Sequence, residues 1–268
     1  MPKDLLDHPV MAPYRERLLR LPQRRFPAAA DLQVLFDSPC LTFSGQRVAF
    51  VPDDELPPRS EDAGYEREIA RSGRISTRRN SLHDLCNALV WATFPKLKAM
   101  LNQRHLLAPP APEPGTRGPV RDAITGFDEC GALVLCPRRT VLDTLARHDW
   151  PGLFGEAGGA WPGDLKVIVV GHATLEMFWA PYKAMTCRCL LVESDLVPDR
   201  LQDVDALAAS LWSTEGAIDR PACLCPLPIM GIPGWWPGLT PPGFWADTEV
   251  FRPPRPGRAV PPIYPPGG

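Results

Sequence analysis

The 268-residue chain carries 29 basic and 31 acidic side chains, so no global field points to nucleic acid or to an acidic membrane surface. No apolar run approaches a bilayer span, and the charged N-terminal stretch MPKDLLDHPVMAPYRERLLRLPQ lacks the apolar centre of a signal peptide, which makes the cytoplasm the expected compartment. Eight cysteines would suit a disulfide scaffold in a small exported protein; here reduced thiols are expected, and the wealth of Pro, Ala and Arg has the look of a bacterial coding bias.

Residues 13–37 predict two short helices, YRERLLRL and AAADLQVLF, separated by Pro22 and Pro27. LTFSGQRVAFV predicts a hairpin turning at Ser44-Gly45, and Pro52 to Pro58 a loop. Residues 1–60 thus read as a helical and hairpin extension to a single domain. SEDAGYEREIARSG predicts a helix with Ser60 as N-cap and Gly73 as stop.

SLHDLCNALVWATFPKLKAMLNQRH, Ser81 to His105, is the next helix, and its polar residues are unusual. At 100° per residue, Leu82, Leu85, Cys86, Leu89 and Val90 cover the core arc. His83, Asp84 and Asn87 fall on the neighbouring arc with Trp91 among them. That arc holds no Lys or Glu, so it suits a buried polar network or the wall of a pocket. A capping box, Ser81-x-x-Asp84, is the plain explanation for Asp84. Pro95 predicts a kink or a second helix, with Lys98, Asn102 and His105 on one side of it.

After a Pro/Gly-rich loop from Ala108 to Pro119, ITGFDECGALVLC predicts a hairpin and TVLDTLARHDW a helix. In that hairpin Asp128 and Gly131 would take the first and fourth positions of a type I turn, although adjacent Asp128 and Glu129 can also bind a metal or do acid–base work. Arg121 and Asp122 would pair with each other or close the same pocket. LKVIVV predicts a strand buried on both faces. GHATLEMFW turns at Gly171 directly into a helix, placing His172 at a helix start outside a strand end, where ligands collect. Glu176 follows on the same helical face, so the two can be a base with its orienting partner, two metal ligands, or an ordinary i,i+4 pair.

TCRCLLVE predicts a strand and RLQDVDALAASLW a helix. Cys187-x-Cys189 and Cys223-x-Cys225 have spacing too short for a zinc ribbon, and TCRCLLV reads more simply as a strand with both thiols facing one side. The segment 219–268 holds 14 prolines and three of the eight tryptophans, which predicts an extended tail docked on the body. Strands mixed with helices without a strict βαβ rhythm predict an α+β fold, a mixed sheet with flanking helices and this Pro/Trp-rich tail. Phosphate-cradling glycine loops and a G-x-S-x-G elbow are absent, which excludes the commonest nucleotide enzymes and serine hydrolases.

The run YEREIARSGRISTRRNSLHDLCNALVWATFPKLKAMLNQRH, with TGFDECGALVL, VVGHATLEMF and LPIMGIPGWWPG…FWADTEVFRP, resembles the signature of the domain-of-unknown-function family 3025. The shared pattern falls on Tyr65, Glu66, Gly73, Thr77, Arg78, His83, Asp84, Asn87 to Trp91, Phe94, Pro95, Lys98 and Asn102. Leu82 and the FWAD run depart from it. The resemblance covers nearly the whole chain and carries no activity with it.

The residues themselves predict one polar pocket. Its candidate catalytic residues are His83, Asp84, Asn87, His172 and Glu176; its candidate binding residues are Arg78, Lys98, Asn102, Arg121, Asp128 and Glu129. Trp91, Phe127 and Val170 would supply its dry wall. The expected activity is that of an enzyme acting on a small molecule, a hydrolase assisted by a divalent metal. The rival is a non-catalytic binding module in which the same groups form a structural network, with the tail or the basic residues Arg71, Arg74, Arg78 and Arg79 meeting a partner.

Overall fold

The structure, a computed structural model, describes residues 3–56, 64–110, 117–155, 160–196, 199–257 and 259–265. In chain order its helices are α1 (Lys3–Leu6), α2 (Arg15–Leu19), α3 (Gly64–Ser72), α4 (Leu82–Thr93), α5 (Pro95–Leu107), α6 (Pro119–Cys130), α7 (Arg139–Ala146), α8 (Trp150–Phe154), α9 (His172–Met177) and α10 (Leu201–Ser213). The strands are β1 (Ala49–Pro52), β2 (Arg74–Thr77), β3 (Gly131–Cys136), β4 (Lys166–Val169), β5 (Thr186–Glu193), β6 (Cys225–Pro228) and β7 (Ile263–Tyr264). The fold is α+β.

The main sheet runs β4-β3-β5-β6, with β7 on β5; β3 and β5 are parallel, while β4 and β6 lie antiparallel to their neighbours. Every residue of β3 is buried, as an apolar run covered on both faces should be. β4 departs from expectation. Only Ile168 and Val169 are buried, because this strand is the sheet's edge and not its centre. The cysteines of TCRC are buried thiols of the sheet, Cys189 opposite Cys225 across β5 and β6.

A second, two-stranded parallel sheet joins β1 to β2. LTFSGQRVAFV therefore makes only a minimal hairpin, one bridge between Leu41 and Arg47 around Gly45, before its AFV portion leaves to pair with RIST. The AAADLQVLF helix is a 3-10 helix, Ala29–Leu35. Gly73 stops α3 at φ +72 with its amide on the Ile69 carbonyl, as a glycine C-terminal to a helix does. The expected Ser60 cap lies outside the described residues.

FDECG is a correction of a larger kind. The hairpin expected there is the last turn of α6, which has Pro119 at its first position and buries Ala123, Ile124 and Phe127 along one face. A 3–4 residue apolar spacing outweighs the turn chemistry of Asp and Gly. Asp128 and Glu129 consequently stand on a helix that runs straight into β3.

The chain breaks at Phe94 and restarts with Pro95 as the first residue of α5, where its missing N–H costs nothing. The Asp205 carboxylate, from α10, accepts the amides of Lys96 at 3.0 Å and Leu97 at 2.9 Å and so caps α5 from another element. The tail docks and adds two strands, β6 and β7, to the sheet. Trp235, Phe244 and Phe251 are buried, and Trp150 and Trp245 donate their indole N–H groups to the carbonyls of Arg252 and Gly231. The N-terminal residues share the same core: Tyr14 is buried and gives its hydroxyl to the Val169 carbonyl at 2.6 Å.

Two outcomes follow from this packing. Phe251 packs edge-on to Phe154 and Trp150 and tilted against Phe244, so Phe251→Ala should cost about 3–5 kcal/mol, read as a lower urea midpoint at unchanged slope. Burial raises the Asp205 carboxyl to about 6, against the two amides it caps. A folded value above the unfolded one means stability that is present below about pH 4 and lost as pH rises through 6. Relative to the non-titrating Asp205→Asn, the wild-type chain should gain up to roughly 3 kcal/mol as pH falls from 7 to 4, measured by urea unfolding at both values.

Candidate functional site

α4 is buried from Asp84 to Thr93, and on its polar arc His83 alone is partly exposed. Ser81 caps it by accepting the Asp84 amide at 3.2 Å. The capping box stops there, because Asp84 spends its carboxylate on Arg78, accepting the backbone N–H at 2.7 Å, Nε at 3.0 Å and Nη2 at 2.8 Å. This three-point clamp ties the end of β2 to the start of α4.

The arc forms one wall of a cavity of about 230 Å³. α3 contributes Tyr65 and Glu66, α5 contributes Lys98, Asn102 and His105, α6 contributes Asp128 and Glu129, and α9 contributes His172. The apolar share of the wall is Ile69, Trp91, Leu101 and Ile124, not Phe127 and Val170.

How His172 arrives is a matter of backbone contact. The Gly131 carbonyl accepts the amides of both Val170 and Gly171, at 2.9 and 2.8 Å. A Cβ on Gly171 would lie 2.4 Å from Gly131 N and 2.5 Å from Glu129 O. Only glycine lets the turn before α9 sit on the end of α6, and that contact sets His172 beside Asp128 and Glu129.

The two imidazoles meet tip to tip. His83 Nε2 and His172 Nε2 are 3.0 Å apart, with the rings crossed at 74°. Behind His83, its Nδ1–H donates to Glu176 Oε2 at 2.9 Å. Behind His172, Nδ1 faces Asp128 Oδ2 at 3.7 Å, beyond hydrogen-bond range. Glu129 Oε2 stands 3.5 Å from His172 Nε2. One ligand atom each from His83, Glu129 and His172 lies within 4.8 Å of the others, a spacing that can hold a metal ion.

Burial pushes the His172 imidazole down to about 4, with Asp128 opposing and the charges of Lys98 and His83 assisting. Burial raises the Glu129 carboxyl against the pull of His83, and raises Glu66 against its hydrogen bond from Asn102. Burial alone would also raise Asp128, but the Lys98 ammonium 2.5 Å away, with His172 next in weight, holds it below the ordinary carboxylate range. Both permanent cations of the wall are thereby matched, Arg78 by Asp84 and Lys98 by Asp128. Glu66 and Glu129 add negative charge to the wall when they ionise, against the burial that opposes it. Such a wall attracts a cation or a ligand carrying one.

The structure thus brings together His83, Asp84, Asn87, His172, Arg78, Lys98, Asn102, Asp128 and Glu129 around one space. Glu176 stands outside the cavity, behind His83. Arg121, on the first turn of α6, does not line it, since a helix in place of a hairpin carries this residue away from Asp128. Tyr65 and Glu66 were missed as site residues. Asn87 Nδ2 donates to the Tyr65 hydroxyl at 3.2 Å, and Asn102 Nδ2 donates to Glu66 Oε2 at 2.6 Å and to its carbonyl at 2.9 Å. Their place beside Asn87 and Asn102 in one shared motif was the available signal.

The chain matches the family described as protein of unknown function, DUF3025, over residues 48–255, and it belongs to that family. No curated protein and no solved structure matches it. Among the described residues, no helix is long and apolar enough to cross a membrane.

The glycine contact is open to direct test. Gly171→Ala should cost about 1–3 kcal/mol, because the added methyl meets backbone atoms that cannot rotate away. Ala in place of exposed Gly163, which has nothing within 4 Å, should leave the thermal midpoint nearly unchanged.

Proposed function

We propose that the chain is an enzyme acting on a small polar molecule, a hydrolase whose reacting water is handled by His83, His172 and Glu129. The observation that carries this reading is the relay Glu176–His83–His172 ending beside Glu129 at the cavity. Glu176 accepts the hydrogen bond from His83 Nδ1–H, which leaves the Nε2 lone pair to His172 or to a water that takes the place of that contact and gives it a proton. Glu129, raised by burial, suits the return of a proton to a leaving group. A cavity of about 230 Å³ falls below the range of roughly 300–1,000 Å³ typical of drug-sized ligands, so the substrate is small. No disulfide joins the eight cysteines, which supports a reducing compartment, and a bacterial cytoplasm is the proposed setting.

A second reading is favoured by the bonds that the wall makes to itself. Lys98 is held by Asp128, Asn102 by Glu66 and Asn87 by Tyr65, as in a site that binds a ligand without turning it over. Turnover separates the two. Purified protein assayed against small esters, amides, phosphoesters and cyclic amides should hydrolyse one class. His83→Gln should remain cooperatively folded by circular dichroism while losing at least a hundredfold in kcat/KM. Undiminished turnover in that variant defeats the reading, and saturable binding with no turnover in any class favours the binding module.

A further inference from the structure

We propose that His83, His172 and Glu129 are the ligands of a divalent first-row transition metal, held through the two Nε2 atoms and one carboxylate oxygen, with Glu176 and Asp128 as the groups that orient the two imidazoles. As the cofactor of a hydrolase the metal rests on the reading above and would take over the activation of the water from His83, whose Nε2 lone pair it would occupy; as a binding site it stands on geometry alone.

The first observation is spacing. Two ligands each about 2.0–2.1 Å from one ion, at angles of 90–110°, lie roughly 2.9–3.4 Å apart. The two Nε2 atoms are 3.0 Å apart, and Glu129 Oε2 is 3.5 Å from His172 Nε2. All three ligand atoms lie within 4.8 Å of one another, and the Glu129 carboxylate, 39% exposed on the cavity side, is free to swing toward His83.

The second observation is proton bookkeeping. An ionised carboxylate only accepts, so the His83–Glu176 bond puts a proton on His83 Nδ1, and a neutral His83 then has a bare Nε2. The 3.0 Å contact between the two Nε2 atoms then requires the His172 proton on Nε2. That choice strips the buried His172 Nδ1 of its proton and turns its lone pair toward the Asp128 carboxylate 3.7 Å away. A neutral pair without a metal satisfies one nitrogen only by orphaning another. A cation between the Nε2 atoms removes the conflict. Both protons then sit on Nδ1, each facing a carboxylate, and both lone pairs point at the ion. This is the carboxylate–histidine–metal arrangement, found twice over in one site.

Two imidazoles and one carboxylate are the donor set of zinc and of non-haem ferrous iron; calcium and magnesium prefer all-oxygen shells. Three protein ligands leave coordination positions open toward the cavity, where a water can bind and ionise more readily than in bulk.

The test is metal binding by the full chain, stripped with chelator and titrated with Zn²⁺ by calorimetry, with Co²⁺ as a spectroscopic stand-in. One ion per chain is expected, with visible Co²⁺ bands of a low-coordinate site. Glu129→Gln and His83→Gln should each weaken Zn²⁺ binding at least a hundredfold. Glu176→Gln, which removes an orienting group and no ligand, should weaken it about 10–100-fold. Circular dichroism reports folding, and should His83→Gln fail to fold, the half-exposed Glu129 decides. Absence of Zn²⁺ binding, or binding untouched by Glu129→Gln, overturns the proposal. Turnover that survives chelation unchanged sinks the metal and spares the hydrolase; stoichiometric Zn²⁺ with no turnover does the reverse.

Discussion

The amide of Gly171 and the carbonyl of Gly131 lie 2.8 Å apart, and the site is assembled from that contact outward. It joins the end of β4 to the junction of α6 and β3, with no room for a methyl group between them. Because α6 runs directly into β3, fixing that junction also fixes the last helical turn, and with it Asp128 and Glu129. Because α9 starts at the next residue, the same contact places His172. α4 then packs against α9, and His83 reaches both His172 and Glu176. Three segments distant in sequence meet because two backbones touch.

Burial sets the chemistry of the groups so assembled. Desolvation opposes charge on His172, Glu129 and Glu66, and only Asp84 and Asp128 have cations close enough to resist it. The wall is therefore divided. Arg78–Asp84 and Lys98–Asp128 are permanently charged pairs that act as its frame, while His172, Glu129 and Glu66 are groups whose charge depends on what occupies the space. Groups of the second kind are the ones that exchange protons or take up a cation.

Much of this was legible in the chain. The apolar arc of α4, the restart at Pro95 and the docked tail all follow from local rules: a 3.6-residue period, a proline without an N–H, and aromatic surface too large to leave in water. The elements that were misread depend on partners far away in sequence. FDECG has the composition of a turn, yet the apolar face of α6 from Ala123 to Phe127 keeps it helical. β1 pairs with β2 across an intervening helix, which no short window reveals. LKVIVV is as apolar as a central strand and still lies at an edge. Tyr65 and Glu66 gain their roles only when α3 meets α5, while Arg121 lost its expected one when the hairpin became a helix.

Lys98 and Asp128 show how closely stability and function are bound together here. The ammonium is 6% exposed and its partner 22%, and truncating either one would strand a buried charge at a cost of about 3–5 kcal/mol. An apolar pair of similar volume would fill the same space without desolvating two charges, so packing alone does not account for this one. Asp128 has a second neighbour: its Oδ2 faces His172 Nδ1 while its Oδ1 holds Lys98. Lys98 keeps Asp128 ionised in a place where burial would otherwise neutralise it, and an ionised Asp128 favours the Nδ1–H tautomer of His172. In the metal-bound site proposed above, the lone pair of His172 then belongs on Nε2, facing His83 and Glu129. A lysine on α5 thus governs, through one carboxylate, which nitrogen of a histidine on α9 is available to the cavity.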